Sequence, residues 1–258
     1  MFIVISPAKK LLANPKLYSG VMTAPSFSDE TEQLVRLMKE KTVAEIASLM
    51  SLSKTLAQLN FDRYQEFPLD NFSIASCYPA LLLFQGDVYQ GLQAHTFNGN
   101  ELDYAQQHLG ILSGLYGLLK PQDAILPYRL EMGVRLHNAK GSSLYDFWRD
   151  TLTTAVNEHL MQQSAPLLVN LASVEYFKVL DKKKIKSPIL TVHFYEQKND
   201  KMKMIALYAK KARGMMARYL IQNQISNKEG IKNFDEAGYS FSPDTSSDNE
   251  FHFVRVHK

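Results

Sequence analysis

The chain has 258 residues, 45% of them hydrophobic and 21% charged, with seven histidines and a single cysteine, Cys77. That length can bury a large core, the composition excludes a disordered chain, and a lone cysteine excludes an intramolecular disulfide and fits a reducing compartment. The net charge of +3 is unevenly spread, because Tyr176–Leu220 holds 12 Lys and Arg against 3 Asp and Glu, a local excess of +9 that leaves −6 elsewhere. A basic segment in an otherwise acidic molecule points to an anionic partner or to a solvated, lysine-rich face.

In chain order, the apolar run Met1–Ile5 is too short for a signal peptide and reads as a strand over 2–5. Residues 29–41 read as a helix with acids in the first turn and bases in the last, as its dipole favours. Thr42-Val-Ala-Glu45 is a capping box, and 42–50 and 53–65 read as two short helices. A strand is expected within 74–84, weakened by Pro79. Asp103–Leu119 reads as an apolar helix stopped by Pro121, with Gly110, Gly114 and Gly117 along a close-packing side. Its apolar part is too short for a bilayer, which takes about 20 residues. Tyr128–His137 alternates throughout and reads as a strand. A helix over 145–162, a buried strand over 167–172 and a hairpin of 189–195 with 202–208 around Asn199-Asp200 follow, then a helix over 209–224 and a strand over 251–257. With no repeat, linker or composition shift, the expectation is one domain, 1–258, of α+β class: a mixed β-sheet surrounded by helices.

Ser51-Leu-Ser-Lys-Thr-Leu-Ala57 has the spacing of the helix-hairpin-helix module that grips DNA backbones, with serine at both glycine positions. Ser51 and Ser53 can still offer N–H and hydroxyl donors to phosphate, and Lys54 adds charge. The other reading is an ordinary helical hairpin, 42–65, with Ser53 as an N-cap. In Tyr208–Arg218, Lys210, Lys211 and Arg213 fall in the first turn of the expected helix, against its dipole, with Arg218 further along. A bound phosphate or carboxylate would offset that cost. On Tyr128–His137 one face holds Arg129, Glu131, Arg135 and His137. It either lines a cleft, with Arg129 as anion clamp and Glu131 as general base, or faces solvent.

Ser6-Pro-Ala-Lys9, Gly86–Gly91 and Asn170–Ser173 are polar strand ends of the kind that line clefts. Lys9 is then either a buried, reactive amine or a surface lysine. The histidines show no metal-ligand spacing, so no metal and no cofactor is expected.

These segments together carry a likeness. Ser6–Lys9, Phe84–Leu92, Leu112–Pro121, Pro127–Gly133, Asn170–Lys178 and Tyr208–Gly214 resemble, in order and over nearly the whole chain, the YaaA peroxide-stress proteins of bacteria. The resemblance implies an α+β fold with a positively charged cleft and a helix-hairpin-helix element. It also implies a cytoplasmic protein that binds duplex DNA and helps limit iron-dependent Fenton damage; it supplies no reaction. Beside this stands an enzyme acting on DNA or a nucleotide, lyase- or glycosylase-like, with Lys9 as Schiff-base amine and Glu131 or Asp87 as proton carrier. A directly iron-binding protein is disfavoured by the ligand inventory.

Overall fold

The computed structural model describes residues 1–13, 18, 20–69, 73–163, 166–199 and 201–257, with the side chain of Ala75 left aside. Strand β1 (Phe2–Ile5) is buried at all four positions, as a parallel strand covered on both faces must be. Strand β2 (Lys10–Leu11) follows the Ser6–Lys9 turn. Helices α1 (Ser28–Lys39), α2 (Val43–Met50) and α3 (Lys54–Gln65) agree with the sequence pattern. Thr42 and Glu45 close the expected capping box. Ser51 ends α2 in the left-handed region (φ 52°), and Ser53 Oγ accepts from Leu56 N at 3.4 Å to start α3. Both serines therefore act as helix caps, and α2–α3 is a helical hairpin.

Between 74 and 84 only β3 (Tyr78–Pro79) forms before the single turn α4 (Ala80–Leu83) and β4 (Phe84–Gln85). Helix α5 (Asp87–Leu92) comes next, then α6 (Gly99–His108). The apolar helix expected over 103–119 is not there. An Asn98–Glu101 capping box starts α6 early, and β5 (Leu109–Ser113), buried throughout, and β6 (Gly117–Leu119), half-buried at Leu118, replace the rest. Gly117 makes the reversal at φ +74°, and a Cβ on Gly110 would sit 2.6 Å from Phe2 and 2.8 Å from Leu118. These glycines serve a strand pair, not a helix face. Strand β7 (Ala124–Ile125) pairs with β3.

The strand expected over 128–137 is also absent, although its alternation survives: Tyr128, Leu130, Met132, Val134 and Leu136 are buried. A turn at Met132-Gly133, closed by Val134 N donating to Glu131 O at 3.1 Å, breaks the segment, and side chains hold other parts of its backbone. Tyr64 Oη donates to Arg129 O at 3.0 Å, and Glu175 Oε1 accepts from Gly133 N at 3.1 Å. Helix α7 (Leu144–Met161), strand β8 (Leu168–Asn170), helix α8 (Val174–Phe177) and strand β9 (Ile189–Lys198) follow. Strand β10 (Lys201–Lys203) forms the expected hairpin with β9; Asp200 lies outside the described residues. Strand pairing stops at Lys203, and α9 (Ala206–Gln222) starts three residues before the predicted position. Lys210, Lys211 and Arg213 are thus in its second and third turns, not its first, and the dipole argument for them falls. Helix α10 (Lys228–Lys232), β11 (Tyr239–Phe241) and β12 (Glu250–Val256) complete the chain.

The main sheet runs β11-β12-β9-β8-β1-β5-β6, with β10 beside β9. The five strands from β12 to β5 are parallel, while β6, β10 and β11 are antiparallel, so the fold is α+β with a mixed central sheet flanked by helices. Ile3, Ile111, Val169, Leu190, Phe194 and Phe253 are almost wholly buried along it. Trp148 of α7 covers Gly117 and donates from Nε1 to Gly114 O at 3.0 Å. Among the described residues no helix is long and apolar enough to cross a membrane.

One buried acid gives the fold a pH dependence. Asp123 accepts from Thr23 Oγ1 at 2.6 Å and Lys120 N at 2.8 Å, yet burial pushes its carboxyl up to about 6. A folded-state value above the unfolded ~3.9 means the native state holds the proton longer, so this group's contribution falls as pH rises from ~4 through ~6. Urea midpoints of wild type and Asp123→Asn are expected to diverge in the variant's favour across that window and to run parallel above it.

Candidate functional site

Parallel strands end their chains on one edge of a sheet, and the loops leaving that edge build clefts. Here β1 and β8 end side by side, and Ser6 ties the two loops together: Ser173 N donates to Ser6 Oγ at 2.9 Å, and Ser6 Oγ donates to Ser173 Oγ at 3.3 Å. Tyr89 Oη of α5 donates to Ser6 O at 3.2 Å and fixes the third wall. Gly86 turns into α5 at φ +123°, and α9 forms the fourth wall. The resulting cleft has a volume of about 530 Å³, within the ~300–1,000 Å³ of small-ligand sites. The three polar strand-end segments singled out in the sequence therefore meet in one place.

Lys9, Lys10, Lys210 and Arg213 line this cleft against the carboxylates of Asp87 and Glu175. The three lysines are exposed at its mouth. Arg213 lies deeper. Its Nε is buried without a hydrogen-bond partner, and burial depresses the pKa of its guanidinium below the usual range. A buried donor without an acceptor costs about 1–3 kcal/mol, so the group is set up for an anionic oxygen entering the cleft.

Lys9 is not the buried amine of one sequence reading: its side chain is 66% exposed and lies 3.4 Å from Glu131 Oε1. Glu131 is buried. Its Oε1 also accepts from Arg129 Nε at 3.0 Å and Nη2 at 2.9 Å, while Oε2 is buried without a partner. The gap between Lys9, Arg129, Glu131 and Tyr176 is about 10 Å³, room for about one water and not a substrate. Burial raises the phenols of Tyr128 and Tyr176 on its rim far above the ordinary range.

Ser51, Ser53 and Lys54 do not line the cleft, and neither do Lys211 and Arg218. Arg218 donates to Gln222 Oε1 at 3.0 Å and to Gln93 Oε1. The sequence reading missed Lys10 and Glu175; the β2–β4 pairing that orients Lys10 has only two residues per strand and leaves no periodic signal. It also missed His193 and His252, which the parallel register of β9 and β12 brings together from distant parts of the chain.

Residues 1–245 match the sequence profile of a family described as "Peroxide stress protein YaaA". The chain is 55% identical over 257 residues, all of both chains, to "UPF0246 protein lpg1366" of Legionella pneumophila subsp. pneumophila strain Philadelphia 1. It is 45% identical, again over all of both chains, to a "UPF0246 protein" of Hahella chejuensis. This full-length similarity places the chain in the YaaA family of peroxide stress proteins.

In a peroxide stress family a lone cysteine invites a peroxidatic reading, which requires an accessible thiolate. Cys77 has the opposite environment. It is buried, its Sγ donates to Ser73 O at 3.4 Å, and burial pushes the thiol up to about 11. Hydrogen peroxide is expected to leave Cys77 unmodified in intact-mass spectra of the folded protein. Cys77→Ala is expected to change the rate of peroxide loss by nothing measurable.

Proposed function

We propose that this protein works in the cytoplasm against peroxide stress by binding duplex DNA through the cleft edge, limiting iron-dependent damage there. One observation carries this reading: Arg213 keeps an unpartnered buried donor inside a cleft whose mouth holds Lys9, Lys10 and Lys210. The cleft is too small for a duplex. The duplex lies across the mouth, where the exposed lysines meet backbone phosphates and Arg213 takes one anionic oxygen. Lys54 with Ser51 and Ser53 on the α2–α3 hairpin supplies a second phosphate contact, and Lys211 and Arg218 extend the basic side of α9. Such binding is sequence-independent and displaces the cations condensed on DNA, ferrous iron among them. That displacement links DNA binding to protection from Fenton chemistry.

The test is fluorescence anisotropy of a short labelled duplex titrated with protein at several salt concentrations. Tight binding with a steep negative salt slope is expected. Absence of binding at low salt would discard the duplex and leave a small anion as the cleft's ligand.

A second reading, an enzyme acting on a nucleotide or damaged DNA, draws on Glu131, whose free buried oxygen lies beside Lys9. It predicts a covalent Lys9 adduct trapped by borohydride on abasic DNA, and Lys9→Ala abolishing it. The exposure of Lys9 and its pairing with the Glu131 carboxylate favour the binding reading, because a Schiff-base lysine in a dry pocket is activated by desolvation.

A further inference from the structure

Strands β9 and β12 are parallel and in register, with His252 opposite His193 and Glu250 opposite Thr191. Side chains alternate along a strand, so His193, His252 and Glu250 share one face, while Val192, Phe194, Phe251 and Phe253 are buried on the other. One imidazole nitrogen from each histidine and one carboxylate oxygen from Glu250 lie within 4.8 Å of one another. The two rings stand at 90° with centroids 5.3 Å apart, and Tyr195 flanks His252 at 5.1 Å. His193 Nδ1 is buried and has no hydrogen-bond partner.

From this geometry we infer that His193, His252 and Glu250 form a binding site for one divalent first-row transition-metal ion. Two imidazoles and one carboxylate are the donor set such ions take, and three protein ligands leave positions open for water or a small anion. Ligands about 2.0–2.2 Å from a metal stand roughly 3.3 Å apart, so the donors close by up to ~1.5 Å on binding. Glu250 is exposed and His252 half-buried, which leaves them free to rotate inwards. The platform itself is fixed. Seven residues of β12 pair with β9, and the His252 backbone is held on its outer side by Ser246 Oγ, 2.9 Å from its N, and by Ser242 N, 2.8 Å from its O. An ion held by Nδ1 of His193 would also give that buried atom the partner it lacks. Without a metal, the group is only a row of packed rings on a sheet face. The inference does not depend on the cleft or on DNA.

The experiment is titration of tag-free, full-length protein with Co²⁺, followed by visible d–d absorption, and with Zn²⁺, followed by equilibrium dialysis and metal analysis. Wild type is expected to take up one ion per chain. Even outer-shell partners cost ~10–100-fold in affinity when removed, so His193→Ala, His252→Ala and Glu250→Gln should each lose at least ~10-fold. The exposed His137→Ala should bind as wild type. Glu250→Gln is nearly isosteric and exposed, so it reads the site even if His193→Ala misfolds. No stoichiometric uptake by wild type, or uptake by Glu250→Gln and His252→Ala equal to wild type, would overturn the assignment.

Discussion

Replacing Lys9, Lys10 and Lys210 together by alanine is expected to weaken duplex binding several-hundred-fold at ~0.1 M salt and to make the salt slope shallower by about 2.7. Both magnitudes follow from counterion release: each phosphate contact contributes about 0.9 to the slope, which is roughly 8-fold in affinity at that salt. All three lysines are exposed, so the triple variant should keep wild-type stability, and lost binding cannot be charged to unfolding. A parallel triple at Lys182, Lys183 and Lys186, all in the basic segment and none lining the cleft, separates a local site from bulk charge. If both triples lose the same slope, binding is diffuse and the cleft is not its centre. If neither slope changes, duplex DNA is not the ligand.

How much of this was legible in the sequence depended on which force set each element. Local rules read correctly wherever local chemistry decides: the Thr42–Glu45 capping box, the Ser53 cap and the β9–β10 hairpin all stand where the side chains put them. They failed where the sheet decides. Leu109–Ser113 has a helix-compatible apolar pattern but is recruited as a strand because it pairs with β1 and is buried on both faces. Tyr128–His137 has the alternation of a strand but lies outside any ladder, because a turn at Met132-Gly133 breaks it and Tyr64 and Glu175 take up Arg129 O and Gly133 N. The cleft was half-legible. Its strand-end loops announce themselves as polar residues behind apolar runs, which brings forward Lys9 and Asp87, whereas Lys210 and Arg213 come forward only through a dipole argument that the early start of α9 removes. The metal-ligand geometry was not legible, since no spacing along the chain encodes a parallel register between β9 and β12.

The glycines carry the largest stability effect: close packing at Gly110, Gly114 and Gly117 is real but belongs to strands and their turn. Sequence spacing pointed to Gly110, Gly114 and Gly117, but the tight helix contact is between α5 and α9 at Gly91 and Gly214. A Cβ on Gly214 would sit 1.8 Å from Val88 O and 2.8 Å from Leu92 N; one on Gly91 would sit 2.1 Å from Lys211 O and 2.8 Å from Met215 N. The obstacles are backbone atoms of a facing helix, which cannot swing away as a side chain can, so the two helices must separate. Overpacking of a core costs about 1–3 kcal/mol when side chains can adjust, and more when they cannot. Alanine gains only about 1 kcal/mol in helix propensity over glycine. Gly214→Ala is therefore expected to lose roughly 3 kcal/mol or more, read as a fall in the urea midpoint. Gly99→Ala, the same chemical change in α6 with nothing within 4 Å, should be neutral or slightly stabilising.

The separation also reaches the site, because α5 carries Asp87 and α9 carries Lys210 and Arg213, all of which line the cleft. Under conditions where Gly214→Ala is still folded, its duplex affinity should fall with the salt slope nearly unchanged, since no charge is lost and only the spacing of the charges has moved. A Gly214→Ala protein as stable as wild type would mean that α5 and α9 do not cross this closely, and the placement of Arg213 inside the cleft would go with it.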